Sequence, residues 1–245
     1  MSEQKGSRKK NEKSDSRPKE PLLKILMLHG YRQSESAFRE RSGGLRKFLK
    51  NHAEFIFCEA PHAIPQKIDA NGIDKDASTS EIEKGWWFSA TNKSYDALEI
   101  TDCDSGFNET MDYINEIFQT KGPFDGIFGF SQGGCLSSIL CKIAMDQNNK
   151  YEFIRFKFAI IVAGFKSNQM QHKIFYDLNN KINLPTMHLI GNGDKVIPQD
   201  LSTNLTSYFL DPKTFYHDGG HFIPVNSESK VAFLDFLTLI KQKIL

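Results

Sequence analysis

The sequence predicts an α/β domain with a mainly parallel central sheet and helices on both faces. Three observations predict it. Apolar runs of strand length alternate with amphipathic runs of helix length, the order that builds parallel strands joined by crossover helices. One strand-like run passes into a helix-like run through a five-residue turn, 129–133, in which glycines flank a serine. The chain has 245 residues, 39% of them hydrophobic, enough for one well-buried core and short for two.

The elements follow in order. Residues 1–21 are polar and rich in Lys, Ser, Glu and Arg, the composition of a disordered tail, and the folded domain is expected over 22–245. Residues 23–28 read as a strand. A helix is expected over 35–50, with Phe38, Leu45, Phe48 and Leu49 on one face, and a strand over 54–58. A mostly polar stretch, 62–103, is too long for an ordinary connection and is expected as an insertion near the functional site, with only a minimal cap. Its middle, 69–84, is acidic and turn-rich; its end, Gly85-Trp86-Trp87-Phe88-Ser89, holds both tryptophans. Phe107, Met111, Ile114, Ile117 and Phe118 mark an amphipathic helix that Gly122-Pro123 stops. A strand over 124–128, the serine turn and a helix over 135–144 come next. Strands are expected at 156–162, 184–190 and 213–217, and a final helix over 227–243 carries Val231, Leu234, Leu237 and Ile240 on one side.

Bulk properties exclude several classes. Thirty-one basic residues against 30 acidic ones give a net charge of +1, and no basic stripe with interleaved aromatics appears, so nucleic acid is not an expected partner. The apolar runs are strand-sized, which argues against a membrane span. No apolar leader opens the chain, and Cys58, Cys103, Cys135 and Cys141 show neither C-x-x-C nor metal-ligand spacing. A cytoplasmic setting is therefore expected, with Arg8-Lys9-Lys10 a weak nuclear signal set against a plain solvated tail. Neither metal nor organic cofactor is called for, and the oligomeric state is left open.

Gly129-Phe130-Ser131-Gln132-Gly133 reads G-x-S-x-G, the nucleophile elbow of the α/β-hydrolase fold. A turn this sharp needs neighbours almost without side chains, and it lifts the serine above the N-terminus of the next helix, where negative charge is favoured. A serine nucleophile needs a base and an orienting acid, in the chain order Ser, Asp or Glu, His. Asp194 follows the strand at 184–190, and His221 follows the strand at 213–217 on a Gly-Gly loop. Each alone is also an ordinary turn residue. His217 is a rival base inside a strand, Asp200, Asp211 and Asp218 are rival acids, and His188 reads as a core or sheet-face residue. The backbone N–H groups of Gln132 and Tyr31 are the expected oxyanion donors, and His29 reads as a loop anchor. Trp86, Trp87 and Phe88 read either as a hydrophobic anchor for the insertion or as an aromatic wall of the substrate pocket, joined there by Val196, Ile197 and Phe222.

Several stretches together resemble the FSH family of serine hydrolases, closest to its animal branch. They are Leu28-His29-Gly30-Tyr31-Arg32-Gln33-Ser34, Gly85-Trp86-Trp87-Phe88, Gly122-Pro123-Phe124-Asp125-Gly126, the elbow, Asp194-Lys195-Val196-Ile197-Pro198 and Gly219-Gly220-His221-Phe222-Ile223-Pro224. The resemblance covers residue 22 to the C-terminus. One departure is Gly134-Cys135, where relatives often carry Ala-Ala. The resemblance implies a compact α/β-hydrolase fold and a carboxylesterase favouring long-chain alkyl esters. It places the triad on Ser131, Asp194 and His221, the residues already reached. The expected partner is a small-molecule ester with an apolar acyl or alkyl chain. A thioesterase using the same machinery and a non-catalytic binding protein on the same fold are the alternatives.

Overall fold

The computed structural model describes residues 21–65, 82–146 and 148–244. The tail over 1–20, with Arg8-Lys9-Lys10, and most of the acidic stretch at 69–84 lie outside the described residues. The strands are β1 (Leu23–Leu28), β2 (Ala53–Cys58), β3 (His62–Ala63), β4 (Lys84–Gly85), β5 (Gly126–Phe130), β6 (Phe158–Val162), β7 (Thr186–Gly191) and β8 (Lys213–His217). The helices are α1 (Glu35–Arg41), α2 (Gly43–Leu49), α3 (Phe107–Lys121), α4 (Gln132–Met145), α5 (Gln199–Thr206) and α6 (Ser227–Ile244), with a 3₁₀ turn at Met170–Phe175.

Six strands form one sheet in the order β2-β1-β5-β6-β7-β8, every neighbouring pair parallel. Side chains alternate across it. Leu26 and Leu28 of β1 join one core with Met111, Ile114, Leu136 and Ile139 of α3 and α4. Leu23, Ile25 and Met27 join the other with Phe38, Leu45, Phe233 and Leu237 of α1, α2 and α6. Burying each such side chain stabilises the fold by about 1.5–3 kcal/mol relative to exposure. The chain is thus an α/β domain: a parallel sheet with helices on both faces. Among the described residues no helix is long and apolar enough to cross a membrane.

Local chemistry moved some boundaries. The helix expected over 35–50 is two helices, because Ser42 ends the first: its N–H donates to Phe38 O and its hydroxyl to Arg39 O. The elbow strand begins two residues later than 124, since the Asp125 carboxylate accepts the Lys24 N–H at 2.9 Å and the ladder starts only at Gly126. Val231 faces solvent; Phe233, Phe236, Leu237 and Ile240 form the buried side of α6. The stretch 62–103 is not wholly loop: β3 and β4 pair antiparallel, and Lys84 bridges to Gln33 beside the end of β1.

Candidate active site

The strand order reverses between β1 and β5, so the loops leaving their C-terminal ends diverge and open a crevice, the usual ligand position in such sheets. Ser131 follows β5 there, with φ 55° and ψ −117°, a left-handed strain that lifts its side chain out of the turn. A Cβ on Gly129 would come 2.2 Å from Gly133 O, and one on Gly133 would come 2.2 Å from Leu28 O, so both positions require glycine. The loop after β1 lies against the turn: a Cβ on Gly30 would stand 3.2 Å from Ser131 Cβ.

Three side chains from three strand ends meet in line. His221 Nε2 lies 3.0 Å from Ser131 Oγ, and His221 Nδ1 lies 2.7 Å from Asp194 Oδ2. The other Asp194 oxygen accepts the N–H groups of Val196 and Ile197, each at 2.8 Å. Burial by itself would raise the Asp194 carboxyl, but its bonds from His221, Ile197 and Val196 and the charge of His221 outweigh burial and hold it below the usual range. An ionised Asp194 fixes the Nδ1–H tautomer, which leaves the Nε2 lone pair facing the serine hydroxyl. The imidazole ring packs 4.8 Å from the Phe130 ring.

The rival residues are engaged elsewhere. His217 Nδ1 accepts the Gly219 N–H, and Asp218 accepts from the Asn192 side chain. Asp200 and Asp211 are exposed. His188 is buried in the sheet against Phe209, and burial holds it at about 3.

Gln132 is the first residue of α4, where a backbone N–H has no partner within the helix. The Tyr31 N–H likewise has no hydrogen-bond partner among the described residues. His29 is fully buried, and burial lowers its imidazole to about 4, so it is neutral. Its Nε2 accepts the Ala60 N–H at 3.0 Å, and its Nδ1–H donates to Gly30 O at 2.8 Å. Gly30 O and the Tyr31 N–H belong to one peptide unit, so His29 sets how that N–H points.

A cavity of about 810 Å³ opens over Ser131 and His221. Phe130, Phe165, Tyr95, Phe38 and Ile197 line its walls, with Val196, Phe222 and Leu98 at exposed positions. Val196, Ile197 and Phe222, expected at the substrate pocket, line this cavity. Trp86, Trp87 and Phe88 do not line this cavity, which corrects their reading as its aromatic wall. Both indoles are fully buried, and each packs among its own neighbours: Trp86 against His29, Trp87 edge-on to Tyr95, Phe107 and His172. Sequence reasoning missed Phe165 and Tyr95. Phe165 follows the C-terminal end of β6 and was open to the strand-end rule; Tyr95 sits in an irregular segment with no such signal.

Among the described residues no cluster of three or more His, Cys, Asp or Glu side chains could hold a metal. All four cysteines are free, and burial raises the thiols of Cys58 and Cys135 to about 12.

Residues 19–233 match the family described as "Serine hydrolase (FSH1)". The chain is 39% identical over 221 residues to Esterase OVCA2 of Danio rerio, covering 88% of this chain and 96% of that protein. It is 38% identical over 219 residues to Esterase OVCA2 of Mus musculus, covering 88% and 95%. Among solved structures it is similar to Zea mays acyl-protein thioesterase 2, with a TM-score of 0.57, 15% identity, and 91% of this chain and 96% of that chain covered. At that identity the likeness speaks to fold alone.

Proposed function

From the chain's membership of the FSH1 serine hydrolase family, we propose that it is a carboxylesterase that cleaves esters with an apolar acyl or alkyl chain through a serine-bound acyl intermediate. The observation that carries this reading is the line Ser131–His221–Asp194, joined at 3.0 and 2.7 Å beneath a cavity whose walls include Phe130, Phe165 and Tyr95.

Ser131 Oγ attacks the ester carbonyl carbon as its proton passes to His221 Nε2. Asp194 holds the imidazole and stabilises its charge. The carbonyl oxygen becomes an oxyanion between the N–H groups of Tyr31 and Gln132; one such donor lowers the barrier by about 2.7–4 kcal/mol. His221 returns the proton to the departing alkoxide, the alcohol leaves, and the acyl group stays on Ser131. A water then gives its proton to His221 and attacks the acyl carbon, and collapse of that adduct frees the acid and restores the serine. The apolar chain rests against Phe130, Phe165 and Tyr95.

A fluorophosphonate probe tests the nucleophile. Wild-type protein is expected to be labelled and Ser131→Ala not; labelling of the alanine variant would remove Ser131 from the reaction. Matched oxygen and sulfur esters of one acyl chain test the substrate class, and a strong preference for the thioester would replace the carboxylesterase reading.

A further inference from the structure

The proposed oxyanion donors belong to two loops far apart in sequence, one after β1 and one after β5. Their separation has to be held to a few tenths of an ångström for both to reach one oxygen. Trp86 hydrogen-bonds to both loops. The Trp86 backbone N–H donates to Gln132 Oε1 at 3.0 Å, and the Trp86 indole N–H donates to His29 O at 2.7 Å. Gln132 closes the first link by donating from Nε2 to Trp87 O at 2.8 Å. His29 extends the second through its bond to Gly30 O, on the peptide that carries the Tyr31 N–H. The strap bearing Trp86 is itself paired to the β1 loop: Arg32 N–H donates to Lys84 O and Lys84 N–H to Gln33 O. From behind, the Thr110 hydroxyl donates to Trp86 O.

We infer that Trp86 is a positioning residue that sets the spacing of the oxyanion hole, its two N–H groups clamping the two donor loops together. This rests on the esterase reading above, since a hole is needed only where a tetrahedral oxyanion forms. It assigns the first tryptophan of Gly-Trp-Trp-Phe a task that packing alone does not require. Trp87 supplies the internal contrast: it is equally buried, yet its indole N–H has no hydrogen-bond partner among the described residues.

The test compares Trp86→Phe with Trp87→Phe. Both keep an aromatic ring, and only the first removes an indole hydrogen bond. Removing an oxyanion donor outright typically lowers kcat about 10²–10³-fold. Displacing one by loss of its clamp is expected to lower kcat roughly 10- to 100-fold in Trp86→Phe, with KM within about twofold. Affinity for a trifluoromethyl ketone, whose adduct with Ser131 places an oxyanion in the hole, should fall in parallel. Affinity for a non-reactive ether analogue of the substrate should hold. Trp87→Phe should stay within about threefold of wild type in kcat. Equal losses in the two variants, or equal losses of ketone and ether affinity in Trp86→Phe, would reduce the role to packing and overturn the inference. Unchanged kcat in Trp86→Phe would overturn it too. Should Trp86→Phe fail to fold, Gln132→Met removes the other half of the clamp while keeping the backbone donor, and the same signature is expected; wild-type kcat there would overturn the inference. Absence of Ser131-dependent fluorophosphonate labelling in wild type would instead bring down the esterase reading itself.

Discussion

Two constellations of serine, histidine and aspartate stand among the described residues, and they differ in whether they have the makings of a reaction centre. In the first, Ser131, His221 and Asp194 lie on loops at three strand ends, with links of 3.0 and 2.7 Å and a cavity above them. In the second, Ser167 Oγ lies 2.7 Å from His172 Nδ1, but His172 Nε2 is 3.9 Å from Asp104 Oδ2, too long for a hydrogen bond. Ser167 is 1% exposed, and its hydroxyl donates to the Gln169 side chain. Burial lowers His172 to about 4, and its Nε2 has no hydrogen-bond partner among the described residues. Its ring packs 4.0 Å from Phe107. Three residue types near one another are therefore not a triad. What separates the pairs is access, an acid locked by backbone N–H groups, and free N–H donors beside the serine.

The largest expected effect falls on the first constellation. Ser131→Ala and His221→Ala should each lower turnover roughly 10⁴-fold or more with little change in melting temperature at neutral pH, and Asp194→Asn should lower turnover roughly 10³–10⁴-fold through the wrong tautomer and also lower the melting temperature, since its ionised carboxylate adds stability there. Steady-state rates on p-nitrophenyl esters and a thermal melt check this; near-normal turnover in any of the three would dissolve the contrast. The cavity should show in chain length. Each added CH₂ is worth about 0.8 kcal/mol, roughly fourfold in kcat/KM until the space is filled, so rates should climb from acetyl toward longer acyl groups. A flat or falling series would mean that the cavity does not receive the chain.

The buried histidines predict a pH effect on stability rather than on rate. Burial holds His29 and His172 at about 4 and His188 at about 3, whereas each titrates near 6.5 when exposed. Between those values the unfolded chain binds protons that the folded chain refuses. Stability should therefore fall as pH drops below about 6.5, by at most about 1.4 kcal/mol per pH unit for each histidine. Asp194 has the same sign lower down: its depressed carboxyl adds stability above its unfolded value, and that stability is lost as pH falls through the folded value. Urea unfolding between pH 8 and 4.5 measures the slope, and a constant midpoint would contradict it. The smallest effect on catalysis should come from Ser167→Ala. Turnover is expected within about twofold of wild type, while stability drops by about 1–3 kcal/mol as His172 Nδ1 loses its partner. A tenfold loss of turnover would show that the second constellation feeds the first.

The sequence by itself determined a mainly parallel sheet, the elbow and the placing of Asp194 and His221 just after strands, because each rests on a local pattern: a short apolar run, glycines flanking a serine, a polar residue just after a strand. Tertiary structure decided the rest. A Gly-Trp-Trp-Phe run reads the same whether its rings line a cavity or fill a core, since both environments are apolar. The partners that settled the matter are far off in the chain: Gln132 lies 46 residues from Trp86, and His29 lies 57 residues away on the other side. Likewise Phe165 and Tyr95 became cavity walls, and Ser42 split a helix, through contacts and caps that no periodicity records. Local propensity fixes what a segment becomes; only the closing of the sheet fixes which segments meet, because hydrogen bonds and van der Waals contacts act over a few ångströms of space, whatever the distance along the chain.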